Sequence, residues 1–324
     1  MEKFLSCDWG TSSFRIRVVE MPGIKIIAGE NTGQGIAKTF ELWKQSRKAD
    51  ETRLIFYLDI IQEHIRILEK KLNTSFSELP LIISGMVSST MGMIDLPYKD
   101  FPFSADGSDL IIKIIEADDT FTHKTIIISG AKTNEDAMRG EETQLAGCFH
   151  DDLIGQEEQV FIFPGTHSKH IVVKSGKALT AKTYMTGEFF ELLSKKTILS
   201  VSVEEGKGLQ HGENLRSFEK GIRDSVQLNL LHSCFLVRTN HLFNKLTKQE
   251  NYYYLSGLLI GTEMNELMND DYSTINLVSN EMLGSYYETA FNVLNKDKGI
   301  LKIQNADEAI VQGQLKIFKR LQRQ

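Results

Sequence analysis

The sequence predicts an α/β protein made of two similar domains, and three observations carry that prediction. The first is a repeated unit. Phe4-Leu5-Ser6-Cys7-Asp8-Trp9 runs into Gly10-Thr11-Ser12-Ser13, and Phe161-Ile162-Phe163-Pro164 runs into Gly165-Thr166-His167-Ser168-Lys169. Each is an apolar strand ending in Gly-Thr-x-Ser and followed by a second apolar strand, Phe14 to Val19 and His170 to Val173. A Gly-containing turn closes each unit, Met21-Pro22-Gly23 and Lys174-Ser175-Gly176. The second observation is a pair of short apolar runs, Leu81-Ile82-Ile83-Ser84-Gly85 and Thr125-Ile126-Ile127-Ile128-Ser129-Gly130. Both stop at Ser-Gly, as buried parallel strands do when they deliver loops to one edge of a sheet. The third is a length of 324 residues, which favours two cores over one. Two strand-turn-strand units about half a chain apart predict a duplicated protein that grips one ligand from both sides.

The remaining elements follow in order. After the first unit comes a Gly-bearing loop, Gly29 to Gly35, then a segment from Phe40 to Leu72. Its Ile60, Ile61, His64, Ile65 and Leu68 recur at helical spacing and predict a surface helix. From Thr133 to about Phe149 the pattern turns helical again. The stretch Asp151 to Gln159, polar and acidic with Gly155, reads as the linker and sets the domains at 1–152 and 153–324. Beyond the second unit, Thr186 is expected to cap a helix from Gly187 to Leu193. Asn214 to about Lys245 reads as one long helical region, and Tyr254 to Met268 and Met282 to Leu294 as further helices. Ile275-Asn276-Leu277-Val278 and Leu301-Lys302-Ile303 read as strands, and Ala306 to Leu321 as a last helix.

Bulk chemistry narrows the function by exclusion. With 37 basic and 43 acidic side chains the net charge is -6, which offers no footprint for a nucleic-acid backbone. Small anions can still bind through local amides and cations. Cys7, Cys148 and Cys234 are odd in number and far apart, so neither a disulfide framework nor a zinc site is indicated and a reducing cytoplasm fits. The N-terminus enters a strand without the basic region and apolar stretch of a leader, and no window approaches the ~20 apolar residues of a membrane helix. A cytosolic, unanchored protein is expected, and a homodimer stays open.

The loops supply the chemistry. At Gly10 the backbone can approach a phosphate closely, and the amides and hydroxyls of Thr11, Ser12 and Ser13 are donors for its oxygens. Asp8 would repel that phosphate unless a magnesium ion, held through water, stands between them. Asp-Trp-Gly-Thr alone also suits a plain hairpin turn, and the second copy weighs against that alternative. In the second loop Phe163-Pro164 replaces Asp8-Trp9, and Lys169 adds a cation. His167 suits a hydrogen-bonded loop residue as well as a phosphate contact. The densest polar cluster is Thr133-Asn134-Glu135-Asp136-Ala137-Met138-Arg139-Gly140-Glu141-Glu142. If it is helical, Asp136 and Arg139 share a face. Arg139 could then hold a carboxylate while Asp136 accepts a hydroxyl proton. A capped helix start, with Arg139 paired to Glu142, explains the same residues equally well. Gly257 and Gly261 fall on one side of a helix, where a flat base or a second helix could pack; spacing favours the helix. The loop Gly85-Met86-Val87-Ser88-Ser89-Thr90-Met91-Gly92 has the small polar residues of a ligand-lining loop, which simple flexibility would also require.

Together, Asp8-Trp9-Gly10-Thr11, Ser84-Gly85-Met86-Val87-Ser88-Ser89 with Pro97-Tyr98, Met138-Arg139-Gly140-Glu141-Glu142-Thr143-Gln144-Leu145, Pro164-Gly165-Thr166-His167-Ser168-Lys169, Met185-Thr186-Gly187-Glu188 and Leu255-Ser256-Gly257-Leu258-Leu259-Ile260-Gly261 resemble the 2-dehydro-3-deoxygalactonokinase family. The Arg-Gly-Glu-Glu-Thr-Gln and Pro-Gly-Thr-His-Ser-Lys blocks are the specific ones. The resemblance implies two ribonuclease H-like domains of the actin/hexokinase type around a nucleotide cleft. It also implies ATP-dependent phosphorylation of the C6 hydroxyl of 2-dehydro-3-deoxy-D-galactonate in galactonate catabolism. On that reading Gly10 to Ser13 and Gly165 to Lys169 hold the ATP phosphates, Asp8 serves Mg2+, and Gly257 and Gly261 lie on the adenosine side. Asp136 is the catalytic residue, with Arg139, Glu142, Met86, Ser88 and Ser89 around the sugar acid. The chain departs from the family pattern at Ser279, where a glycine is usual, and at His170, where an aromatic is common. Two rivals remain: a kinase for a related 2-dehydro-3-deoxy acid, and a non-catalytic actin-like ATP-binding switch. Regulators of that superfamily usually add a helix-turn-helix segment, for which an N-terminus starting at the phosphate strand leaves no room.

Overall fold

The computed structural model describes residues 3–46, 53–150, 154–155, 157–267, 270, 272–294 and 299–323. The chain divides into two compact units. Unit 1 comprises Met1–Ile154, Gly176–Thr180 and Asp307–Gln324; unit 2 comprises Gly155–Ser175 and Ala181–Ala306. The expected linker core and the division at 152/153 lie outside the described residues.

Unit 1 opens with β1 (Lys3–Trp9), β2 (Phe14–Glu20) and β3 (Lys25–Thr32), then α1 (Ile36–Gln45) and α2 (Arg53–Leu72). It continues through β4 (Leu81–Gly85), β5 (Lys99–Asp100), β6 (Phe103–Ser104), β7 (Ile112–Ile115), β8 (Thr125–Ile128), β9 (Ala131–Lys132), β10 (Ala137–Met138) and α3 (Glu141–Cys148). The main sheet has the order β3-β2-β1-β4-β8-β7. β1, β2 and β3 are antiparallel, whereas β1, β4 and β8 run parallel. Parallel strands need cover on both faces, which is why β4 and β8 are fully buried runs. One cover is α2: Ile60, Ile61, His64, Ile65 and Leu68 are all buried, on the stripe that helical spacing predicts. Trp9 meets Phe14 edge-on at 4.8 Å and Tyr57 at 5.3 Å, which locks the end of β1 into this core.

Unit 2 carries β11 (Gln159–Phe163), β12 (Ser168–Lys174), β13 (Lys177–Tyr184), α4 (Thr186–Lys196), α5 (Asn214–Gln227), α6 (Leu230–Leu242), α7 (Lys248–Leu267), β14 (Thr274–Ser279), α8 (Glu281–Leu294) and β15 (Ile300–Asn305). Its strands follow the order β15-β14-β11-β12-β13, with β11, β14 and β15 parallel. Read from the hairpin outward, this is the arrangement of β8, β4, β1, β2 and β3, so the duplication extends beyond the two loops. The first residues of β13, Lys177 and Ala178, pair with Ser104 and Phe103 of β6 and belong to unit 1. The last helix, α9 (Ala306–Leu321), packs in unit 1 from Asp307 onward. There its buried Gln314 donates to Cys7 O at 2.8 Å and Ser84 Oγ at 2.9 Å, joining β1 to β4.

Several expectations need correction. The helix expected from Thr133 begins only at Glu141, because residues 131–138 form a small hairpin and Gly140 stands at φ 121. The long helix expected over Asn214 to Lys245 is two, α5 and α6, broken where the Asn229 side chain accepts from Leu231 N–H at 3.0 Å. Third strands β3 and β13 extend both hairpins, where the sequence suggested a loop or nothing. Among the described residues no helix is long and apolar enough to cross a membrane.

Candidate active site

The first Gly-Thr loop joins β1 to β2. Gly10 N–H donates to Ser13 O at 2.9 Å and closes the turn. The next helix holds the loop from behind: Ile36 N–H donates to Gly10 O (2.9 Å) and Ala37 N–H to Thr11 O (3.1 Å). Helix α1 accordingly has no side-chain cap; loop carbonyls satisfy its first-turn amides instead. This arrangement polarises the loop. Its carbonyls are spent on α1, while the amides of Thr11, Ser12 and Ser13 meet no protein acceptor among the described residues. Gly35 permits the close approach, since a Cβ there would lie 2.3 Å from Thr11 O. Thr11 and Ser12 are exposed and Ser13 is half-buried.

Unit 2 repeats the device. Glu188 N–H, in the first turn of α4, donates to Thr166 O at 3.0 Å, and a Cβ on Gly187 would lie 2.5 Å from Gly165 O. The amides of Gly165, Thr166 and His167 meet no protein acceptor among the described residues. His167 is exposed, with Nε2 2.6 Å from Glu188 Oε2, so α4 holds its ring. Lys169 is buried on β12. The Ser168 hydroxyl, expected to face phosphate, is instead fully buried and donates to Glu263 Oε1 at 2.6 Å. Thr186 does not cap α4; its hydroxyl donates to Glu263 Oε2.

Beside this loop a pocket of about 230 Å³ is lined by Gly165, Gly187, Glu205, Tyr252, Ser256, Leu259, Met282 and Tyr286, among others. An aromatic, mainly apolar wall of this kind suits a planar heterocycle. Burial and then the Glu205 charge push the Tyr252 phenol up to about 12, so it is a neutral donor at neutral pH. Gly257 and Gly261 do not line this pocket. A Cβ on Gly257 would lie 2.1 Å from Phe218 O, and one on Gly261 2.5 Å from Ser225 Oγ, so these glycines let α7 lie against α5. Their neighbours Ser256, Leu259 and Ile260 provide the pocket wall.

The third cluster lies in unit 1. β4 ends at Gly85 and the chain turns through Met86–Ser88 into the loop leading to Pro97-Tyr98. Arg139 organises that loop. Its Nη1 donates to Ser88 Oγ (2.9 Å), Nη2 donates to Leu96 O (3.0 Å) and lies 3.8 Å from Asp95 Oδ1, and the guanidinium stacks 3.9 Å from the Tyr98 ring centre. Only 3% of the side chain is exposed. The two terminal nitrogens of the fork expected to be open for a carboxylate, or paired to Glu142, are thus taken by loop groups, while the buried Nε meets no partner among the described residues. Ser88 and Ser89 also turn inward, their hydroxyls donating to Gly85 O (3.3 Å) and Met86 O (2.7 Å), while half-buried Met86 packs on the core.

Asp136 sits at the end of the tight turn joining β9 to β10. Its N–H donates to Thr133 Oγ1, and its carbonyl accepts from Thr133 N–H, both at 2.8 Å. The turn thus engages its backbone. Asp136 and Arg139 do not share a helix face; they belong to one hairpin, which β5 joins to the Tyr98 loop through Lys99 N–H to Gly130 O at 2.9 Å. Glu142 is fully buried, with Oε2 accepting from Gly140 N–H (2.8 Å) and Oε1 from Thr143 Oγ1 (2.9 Å). Burial, then the charge of Glu141, pushes its carboxyl up to about 7. It is a cap of α3 and not a surface contact for a ligand.

The donor set around Asp8 decides whether magnesium fits. Asp8 faces Arg15 at 2.9 Å across the hairpin, and no three His, Cys, Asp or Glu converge among the described residues. A closed protein cage is therefore absent there, yet Mg2+ is commonly held by one carboxylate, several waters and substrate phosphates. One carboxylate beside a loop of free amides fits that mode.

Sequence reasoning missed Glu263, Glu205, Tyr252 and Tyr286. A lone acid inside the apolar run Tyr252 to Met264 was the available signal for Glu263.

Comparison with known proteins places the chain among its relatives. A protein of Rhizobium meliloti (strain 1021) named "Probable 2-dehydro-3-deoxygalactonokinase DgoK1" is 26% identical over 319 residues, covering 96% of this chain and 94% of its own. The 2-dehydro-3-deoxygalactonokinase of Escherichia coli (strain K12) is 30% identical over 226 residues, 67% of this chain and 72% of its own. A solved Sinorhizobium meliloti structure described as "a putative 2-dehydro-3-deoxygalactonokinase protein" superposes with TM-score 0.79 at 24% identity, covering 98% of this chain and 96% of that one. The ADPNP-bound activator of 2-hydroxyisocaproyl-CoA dehydratase from Clostridium difficile gives 0.51 at 11% identity, covering 99% and 96%. Those two likenesses establish an actin/hexokinase-like fold. The model of the 2-keto-3-deoxy-galactonokinase family matches residues 8–317, a span that takes in both Gly-Thr loops and the Asp136 hairpin, and the chain belongs to that family.

Proposed function

We propose that this protein is an ATP-dependent kinase that phosphorylates the C6 hydroxyl of 2-dehydro-3-deoxy-D-galactonate. The observation that carries the reading is the pair of loops whose tip amides meet no protein acceptor among the described residues, while the following helix holds Gly10 O and Thr11 O in one and Thr166 O in the other. Phosphoryl transfer needs little covalent help from a protein; it needs fixed donors for charge spread over the transferring group. Thr11 to Ser13 and Gly165 to His167 supply such donors, and Lys169 a cation. The pocket of Tyr252, Tyr286 and Met282 takes the adenosine, in place of the face of Gly257 and Gly261. Asp8 would hold the magnesium ion through water, and when bound that ion neutralises phosphate charge.

The acceptor oxygen attacks the γ-phosphorus, the bond to the bridging oxygen breaks, and ADP leaves. Asp136 takes the hydroxyl proton. Arg139 acts as a positioning residue, fixing the loop from Met86 to Tyr98 against which the sugar acid binds. Partners are thus ATP and a small sugar acid, and the net charge of -6 argues against nucleic acid. The test is ADP release measured across a panel of 2-dehydro-3-deoxy acids. Turnover of the galactonate derivative with phosphate on C6 is expected. Preference for another epimer would reassign the substrate, and tight ATP binding without any turnover would favour the switch.

A further inference from the structure

Glu263 is 2% exposed on α7, and four side chains from three other elements meet its carboxylate. Oε1 accepts from Ser168 Oγ at 2.6 Å and lies 2.8 Å from His170 Nε2, both on β12. Oε2 accepts from Thr186 Oγ1 at the start of α4 and from Tyr287 Oη on α8 at 2.8 Å. Burial pushes this carboxyl up, but hydrogen bonds from His170, Ser168 and Thr186, with the His170 charge, outweigh it and hold it below the usual range. A buried carboxylate is retained at several kcal/mol of desolvation unless its partners compensate, so a group met this fully has a fixed geometry.

The four partners surround the second Gly-Thr loop. Ser168 and His170 flank Lys169 on its exit strand. Thr186 precedes Gly187, the residue whose missing side chain lets Gly165 O approach α4. Thr186 and Tyr287 also line the pocket beside Gly165. We propose that Glu263 is a positioning residue that sets the second phosphate loop against the nucleotide pocket, tying the loop's exit strand, the helix behind it and the pocket wall to one anion. The proposal rests on the kinase reading above. It adds that the affinity gained from the nucleotide's phosphates depends on a residue that touches none of them.

The test compares ATP with adenosine, which lacks phosphate, by calorimetric titration of the full chain. Glu263→Gln sets an amide N–H against donors on one side of the network, and Ser168→Ala removes a single tie without touching the pocket lining. Each is expected to weaken ATP binding by about tenfold, the size of one lost charge-assisted hydrogen bond. Adenosine binding should change less than about twofold, and the KM for ATP should rise while that for the acid holds. Glu263→Gln could unfold unit 2, which a thermal melt would report, and Ser168→Ala then carries the test alone. Equal losses of ATP and adenosine affinity, or no loss of either in folded Ser168→Ala, would overturn the proposal. Failure of the unsubstituted chain to bind ATP would instead refute the kinase reading itself.

Discussion

At Asp136 an asparagine keeps the size of the side chain and the turn to Thr133, in which Asp136 uses only its backbone N–H and carbonyl, yet cannot take a proton. Asp136→Asn should therefore lower kcat by roughly 10²- to 10⁴-fold, the usual worth of a positioned base, with ATP affinity kept within about twofold. Turnover near the native rate would remove Asp136 from the chemistry. Glu142 makes a different prediction, about pH and stability. Its carboxyl sits at about 7 in the fold against an ordinary 4.5. Between those values the unfolded chain has lost the proton that the folded chain still holds, so stability falls as pH rises through that window and levels off above it. Glu142→Gln keeps an acceptor for Gly140 or Thr143 and has no proton to lose. Melting curves from pH 4 to 8 should show the variant gaining on the native chain as pH rises through that window; parallel curves would mean Glu142 titrates normally.

Two glycine pairs show how elements divide the work. Gly35 and Gly187 lie between a loop and the helix behind it, whereas Gly257 and Gly261 lie between α7 and α5. A Cβ at Gly187 would press on Gly165 O and push the loop from α4, so Gly187→Val should raise the KM for ATP by about tenfold or more, as loss of a fixed donor set does. Gly257→Val meets Phe218 O and should instead lower stability by about 1–3 kcal/mol through overpacking, while ATP binding by the folded fraction survives. Steady-state kinetics beside thermal melts would separate the two, and the reverse pattern would contradict the packing described here. The same contrast shows what could be read in the sequence. Strands β1, β4, β8, β11 and β14 were legible because buried parallel strands leave continuous apolar runs, and α2 because its stripe has helical period. β3 was not: its residues are mostly exposed or half-buried, and Gly29 sits within it. The hairpin carrying Asp136 read as helix because Thr133, Glu135 and Glu141 are helix-start residues, while the deciding feature, Gly140 at φ 121, carries no mark distinguishing it from any other glycine. Glu263 was hidden for a similar reason, since its partners come from positions 77 to 95 residues earlier and 24 later.

Among the described residues, one hydrophobic cluster gathers around Trp9, Phe14 and Tyr57 in unit 1 and another around Phe218, Tyr253 and Phe291 in unit 2. Each core supports its own Gly-Thr loop through the helix that follows the third strand. The two units differ in what they add: Asp8, the loop from Met86 to Tyr98 and the Asp136 hairpin in unit 1, Lys169 and the aromatic pocket in unit 2. If that division of labour holds, each ligand should stabilise its own unit, because a ligand lowers the free energy of the state that binds it by an amount set by concentration over Kd. Adenosine should slow amide hydrogen exchange in α7, α8 and the segment around Thr186, leaving residues 86–98 and 131–140 unchanged. The sugar acid alone should do the opposite. The kinase reading has both loops holding ATP phosphates, so on that reading ATP should protect the turns at Gly10 and Gly165 together. Exchange measured by mass spectrometry with each ligand in turn checks all three patterns. Protection of the Gly165 turn by ATP without any at Gly10 would show that the first loop, despite its free amides, does not hold the nucleotide.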